Sequence, residues 1–154
     1  MLLPAWACLH ERFPELIERL GASLCSAEPV WDGDSWLHIT AAARVWNRER
    51  THFFQVWSAK AGRFQLPGAH GEGDFDIATV ALREARRALG ADAGIHPLGA
   101  TEVVGESIAE YWNTPAHDHL QVVYEFWLAE EFEPSTGRWE ARGEVNDGKW
   151  SVSP

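Results

Sequence analysis

Between residues 59 and 90 the chain changes its hydrophobic period, and that change restricts the folds open to it. The stretch AKAGRFQLPGAHGEGDFD, residues 59–76, has no sustained period and is punctuated by Gly62, Gly68, Gly71 and Gly73, so it reads as a glycine-rich loop. From Asp76 onward Ile77, Val80, Ala81, Ala85, Ala88 and Leu89 recur at three- and four-residue spacing, the apolar stripe of an amphipathic helix. Asp76 is suited to cap its first turn and Gly90 to end it in a left-handed conformation. On either side the pattern is that of strands. LHITAAARVWN (37–47) and HFFQVWS (52–58), separated by the polar RERT, predict a β-hairpin. LGATEVVGESIAEYW (98–112) predicts a strand with Gly105 as a bend or bulge. After an expected loop, NTPAHDHL, the run HLQVVYEFWLAEEF (119–132) is the clearest strand of the chain. EPSTGRW turns the chain, and WEARGEVNDGKWSV offers a short strand or turn. Near the N-terminus Phe13, Leu16, Ile17 and Leu20 fall at helical spacing, with Pro14 in an early turn and Gly21 as the stop. A loop surrounded by strands and leading into a helix predicts an α/β or α+β architecture, a mixed sheet packed with helices.

At 154 residues the chain is sized for one domain. Its formal net charge of -10 argues against long nucleic acid, which needs a basic footprint, but leaves room for a small phosphorylated ligand whose charge a bound cation offsets. Nine tryptophans are many for this length. Most are expected in the core or in pocket walls, with Trp46, Trp57 and Trp112 the candidates for stacking on a planar base. Cys8 and Cys25 form no CxxC pair, and Cys8-Leu9-His10 lacks the further ligands of a metal site. The opening MLLPAWACLHERF lacks the basic flank and long apolar run of a signal peptide, and no segment has the length of a membrane span. A soluble, cytoplasmic protein with no membrane partner is the resulting expectation.

The loop and helix together, GRFQLPGAHGEGDFDIATVALREARRALGA, resemble the signature of the Nudix superfamily, G-x5-E-x7-R-E-U-x-E-E-x-G-U with U aliphatic. Phe64 and Leu66-Pro67-Gly68 match the usual lead-in, with Ala69 where a second glycine is common. His70, Glu72, Gly73 and Asp74 resemble the GHxEPGD form of the loop, one residue short before Gly73. Arg83-Glu84 and Gly90 match the Arg-Glu pair and the final glycine. PAHDHLQVVYEFWLA resembles a branch in which His-x-His opens a long strand, and EVNDGKW resembles the end of many members. The likeness runs from about Leu37 to Trp150, which divides the chain into an accessory helix and loop (1–36) and a Nudix-like domain (37–154). It implies an α/β/α sandwich with a mixed central sheet. The implied activity is that of a pyrophosphohydrolase, which cleaves a nucleoside diphosphate linked to another group with magnesium or manganese. By the same resemblance Glu84 and Arg83 would be catalytic, and Glu84, Glu72 and Asp74 would hold metal, with Asp74 also orienting Arg83. Gly68, His70, His117 and His119 would meet the substrate, and Arg87, standing where the pattern has a glutamate, could contact an anionic ligand directly.

The helix departs from this pattern where the chemistry is most demanding. Water attacking a phosphorus atom among anionic oxygens needs cations, and magnesium needs hard oxygen ligands. A helix supplies them when carboxylates sit at i, i+3 and i+4. Here Glu84 is followed at those positions by Arg87 and Ala88, a degenerate version of the motif. Arginine is a permanent cation and cannot ligate metal. Replacement ligands could come from Glu72, Asp74 and Asp76, or from Glu102, Glu106 and Glu110 downstream. A set made from His70, Glu72 and His117 or His119 would suit zinc or manganese better than magnesium. The plainer alternatives are a solvated acidic loop and a helix-surface Glu84 paired with Arg87. Two functions follow: a weak magnesium- or manganese-dependent hydrolase, or a non-catalytic nucleotide- or phosphate-binding or regulatory domain that needs no cofactor and uses Arg87 on the anion. A small nucleotide-type ligand is expected in either case, and a homodimer is open to both. A domain that acts only through protein contacts is the third option.

Overall fold

The computed structural model describes residues 14–20, 30–31, 36–70, 77–90, 94–108, 116–131, 133, 136–141 and 150–151. Among these residues two helices, α1 (Pro14–Leu20) and α2 (Ile77–Leu89), accompany nine strands. The strands are β1 (Val30–Trp31), β2 (Trp36–Trp46), β3 (His52–Ser58), β4 (Arg63–Gln65), β5 (Gly68–His70), β6 (Ile95–Ile108), β7 (His117–Leu128), β8 (Arg138–Ala141) and β9 (Trp150–Ser151). They form one sheet whose main path is β4-β3-β2-β7-β6-β9, with β1 and β5 added on β2 and β8 on β3. The β2–β7 pair is parallel, while β6 runs antiparallel to β7 and β3 antiparallel to β2. The architecture is therefore α+β with a mixed sheet, as expected.

Strand β2 owes its central place to a sequence that is apolar in both phases, so that both faces can be covered. Leu37, Ile39, Ala41, Ala43 and Val45 join Leu120, Val122, Tyr124, Phe126 and Leu128 in the main core, against Ile77, Val80, Ala81, Ala85 and Leu89 of α2. Alanines on both strand and helix let α2 lie close to the sheet. The other phase carries a smaller cluster of Ala42, Trp46, Phe53, Leu66 and Val123, with Trp127 packed against it. The helix ends as its sequence predicts: Gly90 has φ 110°, and its amide donates to the carbonyl of Arg86 at 2.7 Å.

Several elements differ from expectation. The glycine-rich stretch holds two short strands. β4 pairs with β3 and β5 pairs with β2, each too short to carry a readable period. The His-Asp-His segment, read as the end of a loop from its polar residues but as the opening of a long strand from the resemblance, is the start of β7. Its backbone pairs on both sides, with Ile108 opposite His117 and Leu37 opposite Asp118. Gly105 is in regular register opposite Leu120, and the irregularities of β6 fall instead at Pro97/Gly99 and Ala100/Glu102. The loop residues Glu72, Asp74 and Asp76, together with Cys8, Cys25, Gly21, Glu110 and Trp112, lie outside the described residues. No helix among the described residues is long and apolar enough to cross a membrane.

Gly68 is where backbone must approach backbone. A Cβ there would lie 2.6 Å from the Ala41 carbonyl oxygen and 3.2 Å from the Ala42 Cα. Gly68→Ala should therefore lower stability by about 1–3 kcal/mol, as overpacking does. Gly94→Ala, where a Cβ would meet no described atom within 4 Å beyond its chain neighbours, should stay within about 0.5 kcal/mol. Urea unfolding of the two variants beside the parent checks the difference.

Candidate functional site

Alternation along β2 sends His38, Thr40, Ala42, Arg44 and Trp46 to the face opposite α2. Their register partners on β7 are His119, Gln121, Val123, Glu125 and Trp127. Neighbours in register share a face, so the pairing builds a graded surface. Arg44 and Glu125 form an ion pair at 2.9 Å in its middle. At one end the indole of Trp127 donates to the Arg48 carbonyl at 2.9 Å. At the other end are the imidazoles.

Four histidines meet there. His38 is 1% exposed and His117 8% exposed, so this is an interior cluster. The ring of His38 lies 4.3 Å from that of His70, 4.9 Å from His117 and 4.6 Å from His119, measured between centroids. Nε2 of His117 and Nε2 of His119 are 3.1 Å apart. His70 arrives from β5, where it stands opposite Thr40. The structure thus brings together three residues expected at the substrate, His70, His117 and His119, and adds His38. In the sequence His38 reads only as part of a strand. Its signal was present: a polar residue between Leu37 and Ile39, in phase with Thr40.

Beside the cluster is a cavity of about 260 Å³ lined by Thr40, Lys60, Gln65, His70, His119 and Gln121, with Gly68 in its wall. It contains one ammonium, two amides and two imidazoles, and no carboxylate among the described lining residues. Thr40 Oγ1 is buried and has no hydrogen-bond partner among the described residues, a state that a bound ligand can relieve. A second cavity, about 380 Å³, opens at the far end of the strands, where Glu49, Glu130, Glu131 and Glu133 line it. Those carboxylates disfavour an anionic ligand.

Glu84 and Arg87 belong to α2, on the other side of the sheet from the imidazoles. Glu84 Oε1 lies 3.4 Å from Arg87 Nη1 and 3.6 Å from Arg83 Nε. Its side chain is 13% exposed and that of Arg87 71%. Glu84 is the only carboxylate of α2. One carboxylate already facing two guanidinium groups does not fit a magnesium ion, which requires several hard oxygen donors and has none other among the described residues of this helix. Of the expected stacking residues, Trp46 is buried against Phe53 and serves the core. Trp57 is exposed and packs edge-on to Phe64.

No family model and no curated protein matches the chain. Among solved structures it is similar to a NUDIX hydrolase from Nitrosomonas europaea, with 14% identity and a TM-score of 0.42, over 67% of this chain and 71% of that one. It is also similar to a protein described as a NUDIX hydrolase from Listeria monocytogenes, with 16% identity and a TM-score of 0.39, over 67% and 77% of the two chains. A MutT structure from work on Aliivibrio salmonicida and Vibrio cholerae gives 14% identity and a TM-score of 0.37, over 68% and 80%. These overlaps are partial, and the chemistry of the site rests on its own residues.

An ion pair with one partner largely in solvent contributes about 0–1 kcal/mol. Glu84→Gln should therefore lower the unfolding free energy, measured with urea, by no more than about 1 kcal/mol. A loss of several kcal/mol would make Glu84 a structural anchor of the helix.

Proposed function

We propose that the protein is a Nudix-like domain that binds a small nucleotide- or phosphate-type ligand and hydrolyses it slowly or not at all. The observation that carries this reading is the state of Glu84, faced by Arg83 and Arg87 and without a second carboxylate on α2. The sequence resemblance across Phe64, Leu66-Pro67-Gly68, Arg83-Glu84 and Gly90 supports the scaffold. The cavity lined by Lys60, Gln65, His70, His119 and Gln121 supports the ligand class, because it offers a cation and groups able to donate hydrogen bonds, with no described carboxylate. Arg87, exposed on the other side of the sheet, is not among the residues lining this cavity.

The magnesium chemistry of the resemblance would need donors that α2 lacks, so no hydrolytic step is assigned to Glu84 and Arg83. What this chain's own groups can do is hold an anion. Lys60 supplies charge, the Gln65 and Gln121 amides donate hydrogen bonds, and Gly68 leaves the cavity wall without a side chain.

Calorimetric titration with magnesium should give weak or no binding, and a panel of nucleoside diphosphate derivatives should release little nucleoside monophosphate. Brisk magnesium-dependent release by the parent protein would sink the proposal. The double variant Arg87→Glu with Ala88→Glu rebuilds the i, i+3, i+4 carboxylates and should raise magnesium affinity by at least about tenfold, roughly 1.4 kcal/mol. Lys60→Ala should weaken ADP binding, measured without metal, while leaving the fold intact.

A further inference from the structure

The geometry points to a zinc-class transition-metal site made by His38, His117 and His119, on the sheet face away from α2. One ring nitrogen from each lies within 4.8 Å of the other two. The His117 and His119 Nε2 atoms, 3.1 Å apart, are near the spacing of two vertices around one ion. Ligands about 2.0–2.1 Å from a tetrahedral zinc stand roughly 3.3 Å from each other. A hydrogen bond between two imidazoles accounts for that one contact. A third imidazole, that of His38, almost fully buried, is gathered at the same point.

The fold makes the juxtaposition rigid. His38 and His119 are register partners on the central parallel strands, and His117 is two residues earlier on β7, in the same phase. Ligands carried on paired strands are held more exactly than ligands on loops. The donor set is all nitrogen, with no carboxylate joining it among the described residues. Imidazole suits zinc and its neighbours, whereas magnesium and calcium require oxygen. Three protein ligands leave a fourth position open, the arrangement by which zinc binds a water or an exogenous ligand. His119 also lines the 260 Å³ cavity, as does His70, which puts the three-histidine cluster beside that space. A ligand there would meet the ion and His70 together. This site is independent of the nucleotide reading: zinc binding requires neither a phosphate ligand nor Glu84.

The test uses the full chain, stripped with a chelator and titrated with zinc chloride and, separately, cobalt chloride. One zinc per chain is expected, with a raised Tm and a cobalt spectrum of tetrahedral type. His117→Ala and His119→Ala should each lower zinc affinity by more than the about 10–100-fold that loss of a supporting partner costs. His96→Ala, at an exposed position on β6, should leave it unchanged. Because His38 is buried, His38→Gln is the variant that best keeps its volume, with circular dichroism as the check on folding. The site is overturned if folded parent protein shows no saturable zinc binding, or if folded His119→Ala binds zinc as the parent does. Equal loss in His96→Ala would also overturn it, by tracing the zinc to surface imidazoles.

Discussion

The parallel pairing of β2 with β7 is the constraint on which the rest of the molecule depends. It runs in unbroken register from Leu37 opposite Asp118 to Trp46 opposite Trp127. Parallel neighbours cannot be joined by a tight turn, and the intervening chain, with β3 to β6 and α2, supplies the crossover. The register sorts both strands at once. Leu37, Ile39 and Val45 meet Leu120, Val122 and Phe126 in the core beneath α2, while His38, Thr40 and Arg44 line up with His119, Gln121 and Glu125 on the other side. A slip of one residue would exchange the two sets, burying imidazoles and an arginine under the helix. The hydrophobic core therefore fixes the position of the polar groups, and no separate device is needed to place them.

How much of this can be read in the sequence follows from the length of each pattern. Helix α2 is legible because its apolar positions repeat over thirteen residues, from Ile77 to Leu89, and because Gly90 marks its end. β2, β3 and β7 are legible as long apolar runs. β4 and β5 are not, since three residues carry no period and their pairing is decided by the edges they meet. The His-Asp-His start of β7 looks like a loop because its residues are polar. It extends because β6 and β2 flank it and pair with its backbone on both sides. The site was partly visible: His70, His117 and His119 stand out as residue types, and Arg87 and Ala88 stand out against the resemblance. What the sequence could not supply was their meeting point. His38 reaches His119 only through a pairing between strands far apart in the chain, and nothing local to His38 announces it.

The two sides of the sheet present different chemistry to a cation. On the α2 side Glu84 is outnumbered: Arg83, Arg86 and Arg87 share the second half of the helix with it, and two of them lie within 4 Å of its carboxylate. A divalent ion approaching that carboxylate must displace guanidinium groups and still find further oxygens. On the opposite face the donors are imidazole nitrogens, and the register has already brought three of these side chains together, close to a cavity containing Lys60. A hard ion loses on the first side for want of oxygens. A borderline ion on the second side finds its preferred donors and an adjoining space. Arg87 and Ala88 thus bear on one face only, and the chemistry of the other rests on His38, His117 and His119.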